Sequence, residues 1–118
     1  MINLFSIILL ATLLFPGEDS IRDKQSFDYY KRLNDNETRL IGFKDDDEAL
    51  KMKLIQLDII NTSRKKHKAK PVELDILASR VANRMCREAA ENKYISHWNM
   101  AGEKPYQRYA FAGGYDHV

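Results

Sequence analysis

The chain has 118 residues, of which 44% are hydrophobic and 31% charged, and its formal net charge at pH 7 is +2. This composition excludes a polytopic membrane protein, a collagen-like chain and a low-complexity chain, and the length fits one domain or less. The charge is uneven, since residues 18–48 hold ten acidic and six basic side chains whereas residues 49–118 hold seven and thirteen. This change in charge along the chain predicts an acidic spacer before a mildly basic folded unit. The interleaved signs of the second part indicate no nucleic-acid partner.

The chain begins with an apolar block, Leu4–Phe15, which only Ser6 and Thr12 interrupt. Twelve helical residues span about 18 Å, short of the roughly 30 Å hydrocarbon core of a bilayer, so we expect no stable membrane span. The block has the length of a signal-peptide core and is followed by a helix-breaking Pro16-Gly17, although no basic residue precedes it and no A-x-A site follows. We predict a cleaved signal at residues 1–17 and an extracellular protein. An uncleaved anchor and an apolar N-terminal strand or helix are the alternatives.

Residues 18–47 are rich in charge and show no sustained hydrophobic period, so they are predicted to be a charged spacer. Asn36-Glu37-Thr38 is an N-glycosylation sequon in this polar stretch, which makes Asn36 the glycosylation candidate. Asn61-Thr62-Ser63 also fits the sequon. It lies inside a helical pattern, however, and glycosylation is not expected there if that face is buried.

A first helix is predicted to open at Asp45–Glu48, where carboxylates can cap free N–H groups and face the positive end of the helix dipole. Its apolar stripe recurs at helical spacing. The members of the stripe are Leu50, Leu54, Leu57 and Asn61. The helix ends in the basic run 64–70, and Pro71 prevents its continuation. That run could be a nuclear signal, a heparin patch or a nucleic-acid contact, but we favour cations placed at a helix C-terminus.

A second helix is predicted from the N-cap Asp75 to about Asn92. Its apolar face combines two stripes, namely Leu77, Val81, Met85 and Glu88 beside Ala78, Ala82, Cys86 and Ala89. Cys86, the single cysteine, is therefore expected to be a buried and inert thiol. The arginines Arg80, Arg84 and Arg87 are expected on the opposite side. So wide an apolar face needs a covering layer, which two helices alone cannot supply.

The C-terminal stretch 96–118 is predicted to form a loop and then a short helix that begins at Pro105. Gly102 belongs to the loop, and Gly113-Gly114 are expected to end the helix, with one of them in the left-handed conformation. His97 lies just past the second helix beside Trp98. On its own, such a pair is more typical of a structural hydrogen-bonding group than of a metal ligand or a base.

Several short motifs occur in a defined order along the chain. They are Asn61-x-x-Arg64, Pro71-Val72-x-Leu74, the Ala78/Ala82 helix, Tyr94-Ile95-Ser96-His97, Gly102-x-x-Pro105-x-x-Arg108 and Gly113-Gly114-Tyr115. Together they resemble the CAP superfamily (cysteine-rich secretory proteins, antigen 5 and pathogenesis-related 1), also called the SCP domain, over residues 48–118. Two features depart from the family pattern. Lys68 replaces the glycine usual after the first helix, and the disulfides common in secreted members are missing.

The resemblance implies an α/β fold, an α-β-α sandwich with a central antiparallel sheet, present here as its mainly helical N-terminal part. That sheet would cover the apolar face of the second helix. The resemblance also implies a cleft lined by two histidines and two acidic residues. His97 matches the first histidine, His117 does not match the second, and the other three cleft positions match no residue of this chain.

From these expectations we predict a secreted CAP/SCP-domain protein that acts as an extracellular binding module for a protein or for a lipid or sterol. Fold recognition alone does not settle function, so two alternatives stay open. One is a metal-dependent hydrolase whose His/acid cleft holds zinc and is completed by residues beyond this chain. Because His97 alone is no zinc site, we assign neither cofactor nor enzyme activity. The other is an inactive fragment of a longer protein, since helices with uncovered apolar faces tend to aggregate.

Overall fold

The computed structural model describes residues 18–115, with side chains described from residue 24 onward. Four α-helices follow one another in this part of the chain, with a 3₁₀ turn at Ile41–Phe43. They are α1 (Glu18–Asn36), α2 (Asp47–Lys66), α3 (Ile76–Asn92) and α4 (Pro105–Phe111). The predicted signal at residues 1–17 and His117 lie outside the described residues. None of the helices described has both the length and the apolar character needed to cross a membrane.

The predicted α-β-α sandwich is wrong for residues 18–115, which contain neither a strand nor a sheet. The physical reason lies in α1. This helix packs against α2 and α3 and supplies the covering layer that we had assigned to a sheet. Residues 18–115 therefore form an all-helical arrangement.

Helix α1 lies inside the segment that was predicted to be a charged spacer. Phe27, Tyr30 and Asn34 are spaced i, i+3 and i+7, and this spacing places them on one side of the helix. Tyr30 is buried together with Leu50 of α2 and Ile76 of α3, and Phe27 packs against the same cluster. The Tyr30 hydroxyl also accepts a hydrogen bond from the Leu74 N–H at 3.3 Å. The larger part of the acidic segment thus belongs to the packed structure.

The predicted starts of α2 and α3 are confirmed. The Asp46 carboxylate accepts a hydrogen bond from the Ala49 N–H at 2.8 Å, and the Asp75 carboxylate accepts one from the Ala78 N–H at 2.9 Å. Each bond satisfies a donor that the first turn of a helix leaves free. Leu50 is fully buried, so the predicted stripe of α2 does face the core.

A buried polar cluster lies between α2 and α3 and centres on Asp45. The Lys53 ammonium is 2.9 Å from the Asp45 carboxylate, which also accepts hydrogen bonds from Ser79 and Asn83 at 2.8 Å each. Burial raises the pKa of Asp45, but the hydrogen bonds from Lys53, Asn83 and Ser79 outweigh burial and hold the pKa below its ordinary value. The cluster thus joins the start of α2 to the middle of α3.

The buried face of α3 includes Leu77 and Val81, as predicted, but it also includes residues that were not predicted to be buried. Arg80 is fully buried and donates to the backbone carbonyls of Asn34, Glu37 and Arg39 at 2.6, 2.9 and 2.6 Å. These carbonyls lie at the end of α1 and in the turn that follows it. Backbone carbonyls that are buried away from water need hydrogen-bond donors, and a guanidinium group carries several N–H donors. Compared with the predicted orientation, α3 is rotated about its axis so that Arg80 faces inward. Cys86 is exposed in this orientation. The predictions of an outward Arg80 and of a buried Cys86 are therefore wrong.

Candidate functional site: the Trp98 loop

Residues 94–104 connect α3 to α4 and are called the Trp98 loop below. One side of the loop is fastened to the last turns of α3. The Tyr94 hydroxyl donates to the Glu88 carboxylate at 2.6 Å, and the same carboxylate accepts from the Met100 N–H at 3.1 Å. The hydrogen bonds from Tyr94 and then from Met100 lower the pKa of Glu88. Glu88 therefore stays ionised and holds two points of the loop at once.

Arg108 of α4 fastens the loop from the other side. Its side chain is buried, and one guanidinium nitrogen donates to the carbonyls of His97 and Glu103 at 2.9 and 2.7 Å. Within the loop the Asn99 amide donates to the Glu103 carboxylate at 2.6 Å. Gly102 has a φ of 76°, a left-handed conformation that favours glycine at this turn. The backbone of the loop is thus held in one shape by side chains.

The loop displays large apolar side chains on this fixed backbone. Ile95 is fully exposed, Trp98 is half-exposed, and Met100 is two-thirds exposed. The Lys104 ammonium lies 5.1 Å from the centre of the Trp98 ring, a cation–π distance. Tyr106, at the start of α4, is half-exposed as well. Exposed aromatic and methionine side chains are typical of the centres of protein interfaces.

His97 has an exposed side chain, and its backbone carbonyl is what Arg108 binds. The described residues contain no group of three or more His, Cys, Asp or Glu side chains that could hold a metal ion. The residues around His97 thus do not fit the zinc site that the family resemblance implies for a complete cleft.

Asn61, Arg64 and Pro71 come together at another part of the molecule, the end of α2. The Asn61 amide donates to the Val72 carbonyl at 2.9 Å and its oxygen accepts from the Val72 N–H at 2.8 Å. Arg64 donates to the Lys70 carbonyl, so both residues bind the segment on either side of Pro71. The Asn61 amide is therefore occupied by backbone, whereas Asn36, the other sequon asparagine, is exposed at the end of α1.

Gly113 and Gly114 lie after α4, as predicted, and Gly113 has a φ of 101°. The Gly113 carbonyl accepts a hydrogen bond from Arg39 at 2.7 Å, and a Cβ at Gly114 would overlap the ring of Tyr109. The Tyr109 hydroxyl in turn donates to the Asp75 carboxylate at 2.6 Å. Sequence reasoning missed Arg39, Tyr109 and Glu88, because their partners are set by the tertiary structure.

Apart from the Trp98 loop, the molecule has a concave surface between α1 and α2. It is an open groove of about 500 Å³ whose apolar lining comes mainly from the two helices. The apolar members of the lining are Phe27, Tyr30, Leu54, Ile55, Leu57, Ile59 and Val72. This volume is within the range of small-molecule sites.

Residues 18–115 form an all-helical unit that presents an exposed aromatic loop on a fixed backbone. Comparison of the chain with protein-family models, with curated proteins and with solved structures finds no match.

Proposed function

We propose that this protein is a secreted, CAP-related binding module whose Trp98 loop contacts a protein or a lipid or sterol outside the cell. The observation that carries the proposal is the combination of three exposed apolar side chains with a backbone held by Arg108 and Glu88. A loop that is already ordered loses little conformational freedom on binding, so more of its contact energy appears as affinity.

The proposed family relationship concerns the helical segments and the loop only. It is supported by contacts between residues that carry the resemblance, since Asn61 binds Val72 and Arg108 binds His97. Secretion is proposed from residues 1–17, as set out from the sequence. Asn36 adds an exposed sequon, which is what glycosylation in the secretory route requires.

Two ligand classes are compatible with the exposed side chains at the loop. Trp98, Met100 and Tyr106 are residue types that are enriched in protein interfaces. Tryptophan and tyrosine are also enriched where a membrane meets water, which suits a lipid or sterol ligand at the same loop. The experiment therefore needs one arm for each class.

The test is binding of the fluorescently labelled full chain to cultured cells, measured by flow cytometry. Trp98→Ala is expected to reduce binding about tenfold, since a buried tryptophan anchor contributes 1–2 kcal/mol or more. Phe111→Ala is the matched control, because Phe111 is also an exposed aromatic residue but lies on α4 outside the loop. Equal binding by wild type and Trp98→Ala would refute the proposal.

The two ligand classes are separated by treating the cells. Protease treatment of the cell surface is expected to abolish binding to a protein ligand, whereas extraction of cholesterol abolishes binding to a sterol. Because Trp98 is the sole tryptophan, its emission also reports the loop directly. A blue shift with cholesterol-containing phosphatidylcholine vesicles would identify the lipid class.

A further inference from the structure

Helix α2 has a second apolar face that the described residues leave uncovered. Met52, Ile55 and Ile59 follow one another at i, i+3 and i+7, and each is between 62% and 65% exposed. By helical geometry they lie on the side of α2 opposite Leu50 and Leu57, which face the core, and Ile55 and Ile59 also belong to the lining of the groove between α1 and α2. A helix that is apolar on two opposite sides is expected to be covered on both. This face, residues 48–66, is called the outer face of α2 below.

The two ends of the outer face carry opposite charges. Glu48 lies one turn before Met52, and Lys66 lies two turns after Ile59, on the same stripe of the helix. Both side chains are exposed, and neither forms an ion pair with the side chains that the structure describes. Further acidic residues precede Glu48, and the basic run 64–70 surrounds Lys66. The outer face is therefore an apolar stripe with an acidic end and a basic end.

Such a face is complementary to itself in the antiparallel orientation. If two copies of α2 cross at residue 57, Glu48 of each copy lies opposite Lys66 of the other. In the same register Ile55 of each copy meets Ile59 of the other. A two-fold axis repeats both contacts, as in isologous dimers, and the two helix dipoles oppose one another favourably.

We propose that the outer face of α2 is a self-association surface and that its occupant is a second copy of this chain. An anionic membrane is a poorer partner. The 20 residues of α2 span about 30 Å, several times the Debye length at physiological salt, so a bilayer that attracts the basic end would repel the acidic end. The antiparallel copy pairs both ends.

The expected dimer is weak. A face about 30 Å long and about 10 Å wide covers roughly 300 Å² on each copy, less than the roughly 800 Å² that stable complexes bury per partner. Association should therefore depend on concentration and on salt. Because it uses neither the Trp98 loop nor its ligand, it does not depend on the proposed function.

The test is sedimentation equilibrium of the purified full chain over a wide concentration range at low and high salt. Glu48→Lys and Lys66→Glu are each expected to weaken the dimer at least about threefold, because each leaves two like-charge contacts in place of two ion pairs. The double variant E48K/K66E restores both pairs with reversed sign, so its dissociation constant should return to near the wild-type value. Glu91→Lys is the control, since Glu91 is an exposed acid at the end of α3.

Circular dichroism of each variant checks that the helices are retained. Three results would overturn the proposal. They are a monomer at every concentration, single variants that associate as the wild type does, and a double variant as weak as the singles. Binding to phosphatidylserine vesicles that Lys66→Glu abolishes, without any dimer, would assign the face to a membrane instead.

Discussion

Two buried arginines give the irregular parts of this protein their shape. Arg80 binds carbonyls of the last turn of α1 and of the turn that follows it, and Arg108 binds carbonyls of the Trp98 loop. Neither segment has a regular hydrogen-bond ladder, so its carbonyls depend on donors from elsewhere. A guanidinium is suited to this role because its donors point in several directions and it stays protonated.

Arg108→Ala is expected to destabilise the fold by about 2–3 kcal/mol, because two carbonyls of the loop lose a charged donor whose side chain is buried. Urea unfolding followed by circular dichroism measures this change. Steady-state anisotropy of Trp98 should fall in the same variant as the loop loosens. Arg32→Ala, which removes an exposed arginine from α1, is the control. Equal unfolding midpoints for the two variants would contradict the anchoring role of Arg108.

Glycosylation is expected at Asn36 and not at Asn61. Asn36 is exposed, whereas the Asn61 amide is bonded to the backbone of Val72. In cells that secrete the protein, Thr38→Ala should remove the mass that a glycosidase otherwise releases, and Ser63→Ala should leave it unchanged. These two changes destroy one sequon each without touching either asparagine. Glycan loss in Ser63→Ala would contradict the expectation.

At the scale of the elements, local signals predicted helix ends well and packing poorly. The caps Asp46 and Asp75 and the first-position Pro105 were predicted correctly, because a cap depends on a few neighbouring residues. Helix α1 was missed, since the third member of its inner stripe is the polar Asn34. That stripe is hidden from a search for hydrophobic periods.

The candidate site shows the same division. Sequence motifs singled out Trp98 and Arg108, but no sequence rule says that Arg108 binds the carbonyl of His97. The burial of the Arg80 side chain could not be predicted from the sequence either, because it depends on backbone carbonyls more than forty residues earlier in the chain. Such partners become defined only when the helices pack.

Tyr30→Ala tests whether α1 belongs to the folded unit. Removing a buried aromatic ring is expected to cost about 3 kcal/mol, because it leaves a cavity beside Leu50 and Ile76. Tyr29→Ala removes an equal ring from a half-exposed position and should cost less than about 1 kcal/mol. Thermal unfolding by circular dichroism compares the two variants. Similar costs would show that α1 contributes little to stability.

For the whole molecule, carboxylates with lowered pKa values make stability depend on pH. Hydrogen bonds from Arg39, first from its side chain and then from its backbone, lower the pKa of Glu37 from 4.5 to about 2. A carboxylate with a lowered folded-state pKa binds fewer protons in the folded state than in the unfolded state. Its contribution is present above about pH 4.5 and is lost as the pH falls toward 2.

Glu37→Gln should therefore lower stability at pH 7 by about 1 kcal/mol, since one partner, Arg39, is half-exposed. Near pH 2 the variant and the wild type should have equal stability. Urea midpoints measured from pH 7 down to pH 2.5 should converge as the pH falls. The exposed Glu91→Gln is the control. A constant difference between Glu37→Gln and wild type over this range would contradict the assignment.

The burial of Arg80 has a consequence for the lifetime of the folded state. Its partners lie 41 to 46 residues earlier in the chain, so these contacts close large loops and the guanidinium must shed its water first. We expect them to form after the folding barrier. Arg80→Lys should then speed unfolding while leaving the folding rate nearly unchanged, as stopped-flow circular dichroism can measure. The contacts of Arg80 would thus slow the unfolding of the folded protein without speeding its folding. A slower folding rate in Arg80→Lys would instead place Arg80 in the folding nucleus.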